Sequence, residues 1–128
     1  MLLRQGTFNG AQLLRPETVT LMAQNQIGDI NAGLWKTANP QLSNDLDLFP
    51  GIPCRWGLGY MITTQPGPNG RSAGSLTWGG IYNTYYWLDP QKRVAGVILT
   101  QILPFADPTV LRLYDGFESG VYGALKAA

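Results

Sequence analysis

The sequence predicts an α+β fold, in which an antiparallel sheet of about three core strands carries a C-terminal helix on one face. Apolar runs at 72–79, 82–89 and 93–101 are separated by short turn sequences, which is typical of antiparallel strands. A long segment with apolar residues at helical spacing follows and begins at Asp107-Pro108, a favourable N-cap and first helical residue. An N-terminal helix-turn-helix is predicted ahead of the sheet.

The N-terminal elements are predicted from glycine, proline and apolar spacing. Residues 1–5 have the pattern of a helix end closed by Gly6. Pro16 suits the first turn of a helix, and the apolar residues after it predict a second helix over 16–25. Residues 28–54 contain several glycines and prolines with no stable period, so we expect a long connection that is functional or packs on another element.

The sheet is predicted from the strands and turns that follow. Residues 56–64 predict a strand, and 66–70 a hairpin turn that ends in Asn-Gly. The turn at 89–92 joins the last two strands, and Pro90 sets its geometry. The near-continuous apolar run over 94–99 predicts a strand that is covered on both faces. The stripe of the last helix predicted to lie on the sheet is Val110, Leu113, Tyr114, Phe117, Val121 and Leu125.

Composition limits the class of protein. A chain of 128 residues is long enough for one domain, over 1–128, and its 45% apolar and 13% charged residues exclude intrinsic disorder. A net charge of +1 favours neither nucleic acid nor a membrane surface as partner. No signal peptide or membrane span is visible, which predicts a soluble chain and leaves its compartment open.

The reactive residue types limit the chemistry. The chain contains no histidine, which excludes Ser-His-Asp and Cys-His catalysis and removes the commonest metal ligand. Its carboxylates are mostly far apart in sequence, so we predict no metal site and no cofactor. The single cysteine, Cys54, is expected to be a small buried apolar residue rather than a reactive thiol.

Several segments occur in a recognisable order. A helix, a turn and a helix come first, then Trp56-Gly-Leu-Gly-Tyr60, then Trp78-Gly79-Gly80, then the Asp89-Pro90 turn, a strand and a closing helix. In this order the chain resembles the C-terminal third of the serine β-lactamase and penicillin-binding-protein superfamily, especially the class C-like esterases called family VIII carboxylesterases. The resemblance implies a partial β-lactamase/transpeptidase-like fold.

The resemblance also implies a candidate site. Trp78-Gly79-Gly80 occupies the position of the family's third motif, Lys/His-Thr/Ser-Gly, which forms one wall of the active cleft. The N–H of the next residue, Ile81, is then the expected oxyanion-hole donor, and Trp78, Gly79, Gly80 and Tyr82 are the expected substrate-binding residues. Because Trp78 replaces a cation, the wall suits an ester better than the carboxylate of a β-lactam.

The other motifs of that family are absent from this sequence. Its nucleophile lies in Ser-x-x-Lys, and its second motif is Tyr-x-Asn; Tyr82 is followed by Asn83 and then Thr84. We therefore expect this chain to be catalytically inactive by itself. None of the four serines has a lysine three residues later, as the residues at those positions are Leu46 after Ser43, Ser75 after Ser72, Trp78 after Ser75 and Tyr122 after Ser119.

Three functional hypotheses remain open. In the first, the chain is part of a β-lactamase-like hydrolase of esterase type, and it associates with itself as a homodimer or larger assembly or with a missing N-terminal half. The second is a stand-alone binding module for sugars or small ligands, with an aromatic surface drawn from Trp35, Trp56, Trp78, Trp87 and six tyrosines. The third is an independent catalytic site, with Cys54, Ser75 or Thr77 as nucleophile and Lys36, Lys92 or Lys126 as base.

Overall fold

The computed structural model describes residues 1–127. Its helical segments are a single 3₁₀ turn at Leu2–Arg4, α1 at Pro16–Met22 and α2 at Pro108–Ala127. Two small strand pairs are β1 (Thr7–Phe8) with β2 (Ala11–Gln12), and β3 (Leu34–Trp35) with β4 (Leu46–Asp47). The main sheet contains β5 (Cys54–Trp56), β6 (Met61–Thr63), β7 (Leu76–Gly80), β8 (Thr84–Asp89) and β9 (Val94–Ile98).

The main sheet confirms the predicted α+β class. Its strands lie in the order β5-β6-β7-β8-β9, and each is antiparallel to its neighbour. Strands β7, β8 and β9 are the predicted core, and β5 and β6 extend it. The predicted helix-turn-helix consists of the 3₁₀ turn, the β1–β2 pair and α1, which ends at Met22 rather than at 25.

The strand predicted over 56–64 is divided in two. A turn follows the end of β5, and the Gly57 N–H donates to the Tyr60 carbonyl at 2.8 Å. A Cβ on Gly57 would lie 2.2 Å from the Met22 carbonyl oxygen, and Gly59 has φ +94°. The chain therefore turns here because α1 crosses close to the backbone and because glycine permits positive φ.

Helix α2 packs on one face of the sheet, as predicted, but with a different stripe. Its buried residues are spaced by four: Val110, Tyr114, Glu118 and Tyr122. Val110, Tyr114 and Tyr122 pack in one cluster with Tyr85 and Trp87 of β8, which are fully buried. Val110 and Tyr114 of the predicted stripe are therefore confirmed. Val121 is partly buried against the same cluster, and the Phe117 ring centre lies 5.3 Å from that of Trp87, so these two residues also lie on the sheet as predicted. The prediction was wrong for Leu113 and Leu125, which are exposed.

A buried ion pair explains why a glutamate lies in that stripe. Arg71 donates from Nε and Nη2 to both carboxylate oxygens of Glu118, at 2.6 and 2.5 Å. Although burial by itself lowers the pKa of Arg71, its hydrogen bonds to the Glu118 carboxylate raise it. Nη1 of Arg71 has no hydrogen-bond partner among the described residues, but the guanidinium carbon lies 4.9 Å from the Phe49 ring centre and 5.8 Å from that of Trp87. Two aromatic faces thus stabilise the unpaired side of the cation.

The edge strand β9 does not have the predicted double cover. Val97 is 57% exposed and Leu99 is 76% exposed. Val97 lies on β9, which is the last strand of the sheet, and Leu99 follows the end of this strand. At Gly96, by contrast, a Cβ would lie 2.0 Å from the indole ring of Trp87, so the inner face of β9 is closely packed.

On the face away from α2, the N-terminal segment covers the sheet incompletely. A cavity of about 300 Å³ lies between α1 and the sheet, bounded among others by Val19, Tyr60, Leu76 and Leu88.

Within residues 1–127, no helix is both long and apolar enough to cross a membrane.

Candidate functional site

The five predicted site residues are contiguous at one end of the sheet. Trp78, Gly79 and Gly80 are the last three residues of β7, and Ile81 and Tyr82 lie in the turn to β8. Ile81 is 48% exposed and Tyr82 is 47% exposed. The strand thus ends in a turn that presents two large side chains to solvent.

The register of the sheet determines where the Ile81 N–H points. The Thr63 N–H donates to the Ser75 carbonyl at 3.1 Å, so the polar backbone groups of Ser75 face β6. Since these groups alternate sides along a strand, those of Thr77 and Gly79 face the same way. Ile81 lies in the turn, where the Gly80 carbonyl accepts from the Asn83 N–H at 2.9 Å. The Ile81 N–H belongs to the same trans peptide as that carbonyl, so it points the opposite way, toward the side of β6. Strand β6 pairs with β7 only as far as Thr77. The Ile81 N–H therefore projects beyond the end of β6, and it donates to no acceptor among residues 1–127.

The two glycines of the motif differ in their surroundings. A Cβ on Gly79 would lie 2.7 Å from the Tyr85 ring and 3.2 Å from the Phe105 ring, so packing alone requires glycine there. A Cβ on Gly80 would meet nothing closer than the Thr84 Cβ at 3.9 Å. Gly80 therefore borders open space, whereas the side-chain face of Gly79 is filled by the core.

Asn83, which the sequence analysis did not select, holds the turn in position. It is fully buried and has φ 62°. Its amide nitrogen donates to the carbonyl oxygens of Ile102 and Pro104, at 2.9 and 2.8 Å. Its Oδ1 accepts from the Tyr85 hydroxyl and the Asp107 N–H, both at 2.9 Å. All four hydrogen-bonding positions of the amide are therefore occupied. The available sequence signal was an asparagine in a hairpin connection, a residue type that tolerates positive φ.

A cluster of three tryptophans lies beside the motif. The ring centre of Trp78 is 4.6 Å from that of Trp56 and 4.8 Å from that of Trp35. Trp35 comes from β3 in the long 28–54 connection, which confirms that this connection packs on another element. Trp87 is buried under α2 and takes no part in the cluster, so the aromatic surface contains fewer tryptophans than the binding-module hypothesis named.

A polar network supports β7 from the helix side. The Thr77 Oγ1 donates to the Tyr86 carbonyl at 2.5 Å and lies 3.1 Å from the Tyr114 hydroxyl. The same hydroxyl accepts from Arg71 Nη2 at 3.4 Å. Because the Thr77 hydroxyl hydrogen is used in the hydrogen bond to the Tyr86 carbonyl, the Tyr114 hydroxyl is the donor in its hydrogen bond with Thr77 Oγ1. The network therefore links Thr77, the residue just before the motif in β7, to the buried ion pair between Arg71 and Glu118.

The alternative nucleophiles are not arranged for catalysis. Ser75 is fully buried and donates to the Ser72 carbonyl at 2.7 Å. Cys54 is also fully buried, and burial, with a smaller effect from Asp47, raises the pKa of its thiol to about 11. The thiol is therefore protonated at neutral pH, as expected for a structural cysteine.

The lysines proposed as bases lie elsewhere. Lys36 pairs with Asp45 at 2.6 Å, and Lys92 lies over the Tyr122 ring. In residues 1–127, no hydrogen bond joins a lysine to Cys54, Ser75 or Thr77. The same residues contain no group of three or more acidic or cysteine side chains that are placed to hold a metal ion.

A family model described as Beta-lactamase matches residues 11–118. This match spans well over half of the 128 residues. The chain belongs to the β-lactamase family. The predicted resemblance to the serine β-lactamase and penicillin-binding-protein superfamily is thereby confirmed.

One curated relative is a transferase. ML-236A carboxylate methylbutanoyltransferase of Penicillium citrinum is 31% identical over 122 residues, which are 89% of this chain and 28% of the relative. This β-lactamase-family chain thus spans less than a third of the relative's length. The relative's name is that of an acyltransferase, whereas the sequence resemblance pointed to carboxylesterases.

Two solved structures resemble the fold. One is the LovD6 mutant of simvastatin synthase from Aspergillus terreus, with TM-score 0.76 and 25% sequence identity. The match covers 99% of this chain and 32% of the length of that structure's chain. A penicillin-binding protein homologue from Caulobacter crescentus matches 92% of this chain and 29% of its own, with TM-score 0.53. At 19% identity, the second likeness concerns the fold alone.

Proposed function

We propose that this chain supplies the third-motif wall and one oxyanion-hole donor of a serine enzyme that transfers acyl groups from esters or thioesters. The observation that carries the proposal is the Ile81 N–H, which projects past the end of β6 without an acceptor. Membership of the β-lactamase family and relatives named as acyltransferases support the reaction class.

The proposed chemistry divides between this chain and a segment that carries Ser-x-x-Lys. The serine oxygen of that segment attacks the acyl carbon as its proton passes to the lysine of the same motif, and the carbonyl oxygen becomes an oxyanion. When the carbonyl re-forms, the bond to the alcohol or thiol breaks, that group leaves with the proton, and the acyl group remains on the serine until an acceptor hydroxyl takes it by the reverse steps. The Ile81 N–H donates to this oxyanion, which an aligned donor stabilises by about 3 kcal/mol. Trp78, Gly80 and Tyr82 border the acyl group, while Gly79 keeps β7 packed on Tyr85.

The first test of the proposal concerns the chain alone. A fluorophosphonate probe reacts with activated serines, so the intact mass of this chain is expected to remain unchanged after incubation. A stoichiometric adduct would instead reveal a nucleophile within the 128 residues and contradict the proposed division of the site.

The second test concerns the donor. In a protein that joins this chain to a Ser-x-x-Lys segment of the same family, Ile81→Pro removes the N–H and is expected to lower kcat about 10²–10³-fold. The control, Ile81→Val, keeps the N–H and is expected to retain activity. Equal activity of the two variants would refute the role of this donor.

The proposed partner follows from β9. We propose that the unpaired edge of this strand, with Val97 and Leu99 exposed, pairs with the segment that brings the nucleophile or, in its absence, with a second copy of the chain.

The alternative function, a sugar-binding platform, has less support. Trp56 and Trp78 meet edge to face at 83° rather than forming a flat surface.

A further inference from the structure

The 28–54 connection presents one tryptophan to solvent. The ring of Trp35 is tilted 48° against that of Trp78, and Trp35 is 45% exposed. Its Nε1 donates to the Ala32 carbonyl at 2.8 Å, so its only polar atom is satisfied within the loop. The exposed part of the ring is therefore purely apolar.

The connection is ordered around this residue. Trp35 pairs with Leu46, which is 2% exposed and anchors β4 in the core. The next residue, Lys36, forms an ion pair with Asp45 at 2.6 Å, and the Thr37 N–H donates to the same carboxylate at 2.9 Å. Trp35 is thus held in place on both sides before any ligand arrives, which lowers the entropic cost of binding.

The charges around Trp35 are already paired. Lys36, the residue that follows Trp35, is paired with Asp45. No uncompensated cation among these neighbours is available to hold a carboxylate. A ligand group that meets Trp35 is therefore expected to be apolar and uncharged.

We propose that Trp35 determines the substrate class of the site by binding the apolar far end of a large acyl group. This inference rests on the proposed function, since it extends the wall formed by Trp78. Trp78 precedes Ile81 by three residues, a distance of about 10 Å along an extended strand. An acetyl group held at the Ile81 N–H does not reach Trp35, whereas a long or branched apolar chain does.

Binding to this chain alone tests the inference, because binding needs no nucleophile. The probes are the N-acetylcysteamine thioesters of octanoate and acetate, titrated while the tryptophan indole N–H signals are followed by NMR. We expect the octanoyl probe to produce saturable shifts at the Trp35 indole. The acetyl probe is expected to leave this signal unchanged.

Three variants separate the proposed role from general apolar binding. Trp35→Ala is expected to weaken octanoyl binding at least tenfold, and Trp35→Phe to stay within about threefold of the original chain, since a ring still faces the ligand. Leu113→Ala alters a 58% exposed side chain on α2 and is expected to have no effect. Far-UV circular dichroism checks that each variant folds.

Unaltered binding to Trp35→Ala, or equal affinity for both probes, would overturn the inference. These results do not depend on Ile81. Loss of octanoyl binding in Trp35→Ala together with full activity of Ile81→Pro would keep Trp35 as the residue that binds the apolar chain and would reject the proposed oxyanion-hole role. Unchanged octanoyl binding in Trp35→Ala together with loss of activity in Ile81→Pro would support the proposed function and reject the binding role of Trp35.

Discussion

At the residue scale, Asn83 shows how one buried amide positions the turn that contains Ile81. Its side chain donates hydrogen bonds to the carbonyl oxygens of Ile102 and Pro104, so it fastens the turn to this segment. A buried donor or acceptor that loses its partner costs about 1–3 kcal/mol. The positive φ adds a second requirement, which few residues other than asparagine and glycine meet without strain.

Two substitutions separate these contributions. Asn83→Ala removes the four hydrogen bonds and also strains the backbone, so we expect the free energy of unfolding to fall by about 3 kcal/mol or more. Asn83→Gly removes the same bonds but permits positive φ, and is expected to lose about 1 kcal/mol less. Urea unfolding followed by tryptophan fluorescence measures both values. Identical losses in the two variants would show that φ 62° carries no cost.

At the element scale, Asp89 joins the end of β8 to three neighbouring segments. Its carboxylate accepts from the Ser72 N–H at 2.8 Å, the Lys92 N–H at 3.0 Å and the Tyr122 hydroxyl at 3.0 Å. Burial by itself raises the pKa of Asp89, but these hydrogen bonds outweigh it and lower the pKa below the usual 3.8. Tyr122 also accepts from the Trp87 indole, so the carboxylate connects the sheet to α2.

The lowered pKa predicts acid sensitivity. Because the folded-state pKa lies below the unfolded one, the stabilisation by Asp89 is complete above the unfolded value and is lost as the pH falls through the folded value. We expect the urea concentration at the midpoint of unfolding to decrease when the pH is lowered below about 4. Asp89→Asn is expected to be less stable at pH 7 and to show a smaller drop. A pH dependence as steep as that of the original chain would contradict this account; Asp29→Asn, at an exposed aspartate, serves as the control.

At the scale of the whole molecule, β9 leaves one edge of the main sheet unpaired, and Val97 on this strand is exposed. An unpaired strand edge is a template for pairing with another strand, and exposed apolar side chains favour association. The low charge of the chain, 13% of its residues, adds little electrostatic repulsion between copies. Self-association of the isolated chain follows from the proposed partner site.

Light scattering at micromolar concentration tests this expectation. The chain is expected to be dimeric or larger, and Val97→Lys is expected to shift it toward monomer because a charge on an edge strand opposes pairing. Leu113→Lys is the matched control, since Leu113 and Val97 are 58% and 57% exposed. A monomeric original chain would contradict the prediction. An equal effect of Val97→Lys and Leu113→Lys would show that β9 is not the specific site of contact between copies.

The sequence by itself determined the local elements and the position of the motif. Asp107 begins α2 as predicted, because its Oδ1 accepts from the Thr109 and Val110 N–H groups. The Trp78-Gly79-Gly80 motif ends its strand, as the glycines and the following turn indicated. These features depend on residues a few positions apart, which a sequence pattern records directly.

Only the tertiary structure decided which polar residues are buried and which distant residues meet. Glu118 lies in the core because Arg71, 47 positions earlier, neutralises it there, and no local pattern predicts that pairing. Trp35 reaches Trp78 because the 28–54 connection folds back on the sheet, and Asn83 is saturated by carbonyls about 20 residues away. Burial of a charge or an amide is favourable only once such a partner is in place, so these residues became recognisable only in the folded chain.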